Sequence, residues 1–321
     1  MNALSHTFQH NFSKLLSNDS LAFQTQGGLA DRQESNKRKP YQLSDSALRN
    51  VPPANPYGGK KVKLKSSLVF ADYSLSIQSL RLLNYAMSYF DNEPYFTAKR
   101  FSNEDAHKTL DWHYGFIEDR TILIPAREAV RIIQSGKKVS NNYKVLYKAV
   151  DELCQADILF KEKRNGVTTT KPARITDTVY VHRCDVKKQK FVVLSFSLDF
   201  MSAVVAESGY QACALSTINS FSSSHAARYY HWFLNGLYKR KFELKVEEIR
   251  QRFGLDEFSH QKHFFKRLVE QPVKEVIKKT DLQIDIEQIK DNQRRGNPLV
   301  RVKFKIKRDS RVDEISDKKA E

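Results

Sequence analysis

The amino-acid sequence predicts an α+β fold of two tandem units, and three observations carry this prediction. Residues 242–308 hold a short amphipathic helix, a turn, a basic helix and two β-rich runs joined by an arginine-bearing loop. Residues 65–200 show the same order of elements in a weaker form, and residues 1–64 show little apolar periodicity. Helix, turn, helix and β-hairpin in this order are typical of a winged helix-turn-helix. We therefore predict two tandem winged-helix (helix-turn-helix plus β-hairpin wing) domains behind a disordered N-terminal arm.

Length and charge limit the possible classes of protein. A chain of 321 residues is long enough for about two domains with separate cores. The formal net charge of +17 indicates an anionic partner, either nucleic acid or a membrane surface. No apolar run approaches the roughly 18 residues of a membrane-spanning helix, and the N-terminus lacks the pattern of a secretory signal. We therefore expect a cytoplasmic protein that binds nucleic acid and not membrane.

The sequence shows no pattern typical of a metal site or of a common enzyme. Cys154, Cys184 and Cys213 are odd in number and far apart, which favours reduced thiols. His182 and Cys184 are the only histidine and cysteine close together in the sequence, and no second such pair stands at the spacing of a zinc site. There is no GxxxxGK[ST] phosphate loop and no His-x-His metal pair. We expect no enzymatic activity, no cofactor and no metal.

The first unit, residues 65–200, is predicted to contain three helices and a hairpin. The first helix is SLSIQSLRLLNYAMSYF, in which apolar residues recur at helical spacing. The second begins with Pro125 in its first turn and ends before Gly136. The third lies in NNYKVLYKAVDELCQADILF. Its apolar face contains Tyr143, Leu146, Tyr147, Val150 and Leu153. The runs RITDTVYVHRCDV and KKQKFVVLSFSL then predict a β-hairpin wing.

A connector over residues 201–221, with some helix expected in DFMSAVVAES, leads to the second unit, residues 222–308. This unit begins with the aromatic-rich helix SSSHAARYYHWFLNGLYKR. A short strand at Phe242–Leu244 follows, and then a helix at Val246–Phe253 that Gly254 stops.

The basic helix is predicted from about Ser259 to Gln271. Pro272 predicts a break there, because proline lacks an amide donor and disfavours a helical residue before it. A further helix, PVKEVIKKT, starts at that proline. The runs LQIDIEQI and LVRVKFKIK, joined by KDNQRRGNP, predict the second wing, and residues 309–321 a charged tail.

The basic helix has the two faces that a recognition helix needs. At 100° per residue, Phe264, Phe265 and Leu268 cluster on one side and polar residues on the other. The apolar side can dock on the domain while Lys and Arg donate to guanine or phosphate. The alternative is an ordinary solvated helix face. With 21 Lys and Arg against 11 Asp and Glu, residues 221–308 carry the denser positive charge.

These considerations define a candidate DNA-binding set. It comprises Ser259, Lys262, His263, Lys266 and Arg267 of the basic helix, Arg294 and Arg295 of the second wing loop, Arg228 of the aromatic-rich helix, and Lys137, Lys138, Asn141, Lys144 and Lys148 of the first unit. The wing arginines fit a solvated basic turn equally well, and Arg228 could pair with a carboxylate. Glu152 shares the face of the first-unit residues, so that domain could instead pair subunits.

The series of motifs resembles the iteron-binding replication initiator (Rep) proteins of bacterial plasmids. The resemblance is carried by ARYYHWFLNGLYKRKFELKVEEIRQRFGL, FSHQKHFFKRLVEQPVKEVIKKTDLQIDI and LVRVKFKIK. Family members show a Glu-Ile-like pair before a Thr-Asp, here Glu275-Val276 and Thr280-Asp281. The first and third helices of the first unit also fit, so the resemblance covers about residues 66–308. The long N-terminal arm has no clear counterpart in the family pattern.

The resemblance implies a function at a plasmid origin. Family members bind direct repeats (iterons) of double-stranded DNA as monomers, open adjacent AT-rich DNA, and recruit the host initiator ATPase and replicative helicase. As dimers they commonly repress their own promoter through an inverted repeat. The first domain is then expected to serve dimerisation and DNA contact, and the second to be the main recognition domain.

Two other functions stay open from the residues alone. The first is a winged-helix transcriptional regulator without a replication role. The second is an interaction protein whose basic face meets an acidic protein or RNA. Tandem repeats in the DNA beside the gene would favour the initiator.

Overall fold

The computed structural model describes residues 61–88, 120–135, 143–164, 167–184, 189–205, 210–255, 263–293, 295 and 298–308. Most of the predicted N-terminal arm and the whole predicted tail lie outside these residues. The last residues of the expected arm are an exception, because strand β1 runs from Lys61 to Lys65. Among the described residues, no helix is long and apolar enough to cross a membrane.

The first unit is a winged helix. Its elements are α2 (Ile77–Met87), β2 (Thr121–Pro125), α3 (Ala126–Ile133), α4 (Lys144–Gln155), β5 (Thr176–Cys184) and β6 (Gln189–Phe196), and a short helix, α1 (Ser66–Val69), precedes them. The sheet has the order β2-β6-β5, all antiparallel. The predicted wing hairpin, β5–β6, is confirmed, and β2 joins its edge.

The second unit repeats this topology. Its elements are α7 (Ser224–Gly236), β8 (Lys241–Lys245), α8 (Val246–Arg252), a π-helical segment (Phe265–Glu270), α9 (Gln271–Lys279), β9 (Leu282–Lys290) and β10 (Leu299–Arg308). The sheet order is β8-β10-β9. In both units the strand before the second helix pairs with the last strand. This shared order confirms the predicted fold class of two tandem winged helices.

Several elements, in the first unit and in the connector, were not predicted. A second hairpin, β3 (Asp157–Arg164) with β4 (Val167–Arg174), follows α4 directly. In the connector, α5 (Leu198–Val205) confirms the helix expected in DFMSAVVAES, whereas β7 (Tyr210–Ala214) and α6 (Leu215–Ser220) were not predicted. Strand β7 pairs with β1. The β3–β4 hairpin escaped prediction because Pro172 lies in β4, a position tolerated where a strand has a free edge.

Aromatic side chains of α7 form the core of the second unit. Trp232 stacks on Phe253 with ring centroids 5.2 Å apart, and Phe233 lies 5.4 Å from Phe304 of β10. Tyr229 contacts Trp232 at 4.9 Å. The helix starts where Ser223 accepts a hydrogen bond from the Ala226 amide. The core thus fixes α7 against the sheet and against the end of α8.

The chain before α2 ties the two units together. Trp232 Nε1 donates to the Val69 carbonyl at 2.7 Å, and the Tyr73 amide donates to the Arg252 carbonyl at 3.2 Å. Arg81 of α2 donates to the carbonyl of Phe221, just before α7. The two winged helices are therefore joined by hydrogen bonds from side chains and from one backbone amide to backbone carbonyls.

Gly254, which ends α8, packs against Ser74 in the chain before α2, and this contact can be tested. Its φ is 64°, and a Cβ added there would lie 2.9 Å from Cβ of Ser74. We expect Gly254→Ala to lower the free energy of unfolding by about 1–3 kcal/mol, measured by urea denaturation. In a Ser74→Gly background the same change should cost less, because the clash is gone. An equal cost in both backgrounds would contradict the contact.

His231 predicts a pH dependence of stability. It is buried in α7, and burial, with the Arg228 charge, lowers its pKa to about 3. The ordinary His pKa is about 6.5, so below that pH the unfolded chain binds a proton that the folded chain refuses. The free energy of unfolding should be at its full value above pH 6.5 and should fall by up to about 1.4 kcal/mol per pH unit below it. Urea denaturation at pH 7, 6 and 5 measures this slope, which His231→Phe should largely abolish. The same slope in both proteins would contradict the assignment.

Candidate nucleic-acid interface

The basic helix of the second unit presents two exposed cations on a docked apolar base. Phe264, Leu268 and Val269 are buried, whereas Lys266 and Arg267 are exposed. Arg250 of α8 places its guanidinium 4.7 Å from the Phe264 ring centroid, which holds the start of this helix against α8. The arrangement leaves two donors directed away from the domain, as groove contact requires.

Neighbouring groups set the electrostatics of this face. His263, three residues before Lys266, is exposed. Glu270 is paired with Lys274 at 2.6 Å, and the hydrogen bond and charge of that lysine lower the pKa of the Glu270 carboxyl. The acid is therefore neutralised by a cation one turn further along the helix.

The predicted break at Pro272 is wrong. The π-helical segment Phe265–Glu270 passes directly into α9, and Glu270 and Gln271 both have helical dihedrals. The Gln271 amide donates to the Lys266 carbonyl, five residues back. The widened turn accommodates the proline, so the helix continues through it.

The wing of the second unit follows α9 in the chain. Strands β9 and β10 pair from Leu282↔Arg308 to Leu299↔Lys290. The loop is closed by the Asp291 amide, which donates to the Pro298 carbonyl at 2.9 Å. Arg295 is exposed in this loop. A cation is therefore available at the wing tip, as the sequence predicted.

Arg228 does not contact solvent, and its predicted phosphate role is wrong. Its side chain is buried and donates to the carbonyls of Ala71 (2.6 Å), Tyr73 (2.7 Å) and Arg252. The guanidinium also lies 3.9 Å from the Tyr73 ring centroid. Burial lowers its pKa. No carboxylate accepts from it among the described residues, so the alternative of an acid pair also fails. Arg228 is instead the main polar link between α7 and the chain before α2.

The first unit presents a basic face with an exposed aromatic residue. Lys144 and Lys148 are exposed on α4. Tyr147 lies between them and is 42% exposed, although it was predicted on the buried face. Lys190 of the wing donates to Tyr147 Oη at 3.5 Å, and its ammonium is 5.4 Å from the Tyr143 ring centroid. Sequence reasoning missed Tyr147 and Lys190, because only the fold brings the wing to this helix.

The Glu152 carboxylate is bound at the start of α2 and does not belong to this basic face. Its carboxylate accepts from the Ser76 amide at 2.7 Å and from the Ser79 hydroxyl, at the start of α2. It therefore satisfies donors of the α2 N-terminus.

The remaining candidates lie outside the described residues. These are Ser259, Lys262, Arg294, Lys137, Lys138 and Asn141. In the part of the chain that the structure does describe, no group of His, Cys, Asp and Glu residues could hold a metal ion.

Two family models match the chain over most of the described fold. The model described as "Initiator Replication protein, WH1" matches residues 61–234, and the one described as "Initiator Rep protein, WH2" matches residues 245–306. The chain belongs to the initiator Rep protein family. This confirms the resemblance found in the sequence.

Comparison with solved structures found 21 matching chains, whereas the curated proteins gave no match. One matching structure is described as the crystal structure of Pi initiator protein in complex with iteron DNA. It is 13% identical, covers 78% of this chain and 97% of that chain, and has a TM-score of 0.41.

The Glu-Ile-like and Thr-Asp pairs of the Rep protein have structural roles at the base of the interface. Glu275 accepts from the Ser222 amide (2.6 Å) and hydroxyl (2.8 Å). Burial opposes ionisation, but hydrogen bonds from Lys279 and Ser222 outweigh it and lower the Glu275 pKa. Asp281 pairs with Arg308 at 3.0 Å. These contacts anchor α9 to the start of α7 and to the sheet, and so position the basic helix.

Proposed function

We propose that this Rep protein initiates plasmid replication by binding direct repeats (iterons) at the origin. The observation that carries the proposal is the exposed Lys266–Arg267 pair on the basic helix of the WH2 domain, with a cation at the adjacent wing. A helix with this exposure fits the major groove, where Arg and Lys donate to guanine O6 and N7. The proposal requires no chemical step, cofactor or metal.

The mechanism rests on binding energy. Phosphate contacts from both domains position the protein, base contacts from the WH2 helix select the repeat, and several bound copies strain the neighbouring AT-rich duplex. We also propose that the protein recruits the host initiator ATPase and replicative helicase, and that a dimer represses its own promoter through an inverted repeat. These steps would take place in the cytoplasm.

A transformation experiment tests the initiator function. A plasmid that carries this gene and its flanking DNA as the only origin should replicate, and removal of the flanking repeats should abolish replication. Replication should also be lost when Lys266 and Arg267 are both replaced by alanine. Failure of the complete plasmid to replicate in a permissive host, with the protein still repressing its promoter, would favour the transcriptional regulator.

The proposal predicts strong salt dependence of DNA binding. If both domains contact the duplex, six or more phosphates are neutralised, and the slope of log K against log salt should be steeper than about −5. Replacing Lys144 and Lys148 with alanine should make the slope shallower by about 2, since each phosphate contact contributes roughly 0.9. Fluorescence anisotropy over a salt series measures both slopes. A wild-type slope near −2 would indicate that only one domain engages DNA.

A further inference from the structure

We propose that Pro272 sets the face that the basic helix presents to DNA, because it imposes the π-helical turn that carries Lys266 and Arg267. The inference rests on the proposed function and adds a positioning residue to it. Pro272 is buried at the base of this helix, next to Val273.

The hydrogen bonding shows how the proline acts. In an α-helix the residue at position 272 would donate its amide to the carbonyl of Leu268, four residues back. Proline has no such amide, and its ring would collide with that carbonyl. In the structure the Gln271 amide donates to the Lys266 carbonyl instead, one residue further back than in an α-helix. The turn before Pro272 therefore contains one additional residue.

The buried residues show that the helix is docked on both sides of the widened turn. Phe264, Leu268 and Val269 are buried, as are Pro272 and Val273 of α9. Lys266 and Arg267 are exposed, so the widened turn carries the two cations on the solvent side of a docked helix.

The consequence for the DNA-binding face is a rotation. The Gln271 amide donates to the Lys266 carbonyl and not to that of Arg267, so this turn contains one residue more than an α-helical turn. One additional residue turns the part of the helix before it by about 100° relative to α9. The face that Lys266 presents therefore depends on this turn.

Pro272→Ala tests the inference, because alanine restores the amide and permits α-helical geometry without changing the charge. Binding is measured to a duplex that carries one direct repeat from the DNA flanking the gene, and to a random duplex of equal length. We expect the Kd for the repeat to rise about tenfold or more, as when a base contact is lost. The Kd for random DNA should stay within about twofold. The urea midpoint is measured alongside, so that binding is compared only between folded proteins.

Ile277→Ala is the matched control, because it changes an exposed apolar residue of α9 beyond the widened turn. It should bind both duplexes as the wild type does. Unchanged repeat binding by Pro272→Ala would overturn the inference, as would an equal loss on both duplexes. A wild-type protein that does not discriminate repeat from random DNA would overturn the proposed function itself. The two failures are therefore distinguishable.

Discussion

Replacing Arg228 with methionine is expected to lower the free energy of unfolding by about 3–5 kcal/mol, measured by urea denaturation. Methionine keeps much of the buried stem but leaves the carbonyls of Ala71 and Tyr73 without their donor, and the Arg252 carbonyl keeps only the Tyr73 amide. Each buried acceptor that loses its partner costs about 1–3 kcal/mol. Stacking of the guanidinium on Tyr73 is lost as well. The two winged helices should then come apart more readily.

Two further variants make this result specific. Arg228→Lys should lose an intermediate amount, because one ammonium cannot reach all three carbonyls in the geometry of a guanidinium. Lys241→Met removes an exposed cation from β8 and should change stability by less than about 0.5 kcal/mol. For folded Arg228→Met, the salt dependence of DNA binding should equal that of the wild type. Normal stability with a slope shallower by about 0.9 would instead return Arg228 to a phosphate contact.

The double variant Lys266→Ala, Arg267→Ala should lose about 2–6 kcal/mol of binding free energy for the specific repeat, since each residue contributes about 1–3 kcal/mol if it contacts a base. Both side chains are exposed, so the free energy of unfolding should change little. Fluorescence anisotropy with repeat and random duplexes measures the loss of discrimination.

The control for this variant removes the same charge elsewhere. Lys241 and Lys307 are exposed near the end of the β8–β10 sheet that is opposite the wing loop. Replacing both with alanine should weaken binding far less than the double variant of the basic helix does. Similar losses in the two double variants would mean that net charge, not this helix, determines recognition.

Local signals predicted the winged helices well. Gly254 ends α8 with a positive φ, as its position after an apolar helix indicated. The alternation of β-branched and polar residues in β5, β6, β9 and β10 predicted both wings. These features depend on residues that are close in the sequence, so the sequence alone is enough to predict them.

Long-range and competing effects could not be predicted in the same way. Arg228 is satisfied by carbonyls of residues more than 150 positions away, and nothing local indicates them. Tyr147 fits an apolar helix face, yet the fold exposes it beside Lys190 of the wing. At Pro272, the sequence predicted a break in the helix, because a proline cannot donate its amide. The structure avoids the break by widening the preceding turn, and the helix continues.

Footprinting of the purified protein on the DNA that flanks its own gene tests the central claim most directly. We expect regularly spaced protection over direct repeats, hypersensitivity in adjoining AT-rich DNA, and loss of both with the Lys266→Ala, Arg267→Ala variant. Protection of an inverted repeat at the promoter without protection of direct repeats would contradict the initiator function and leave a repressor. No protection at any repeat would contradict specific DNA binding by the basic helix.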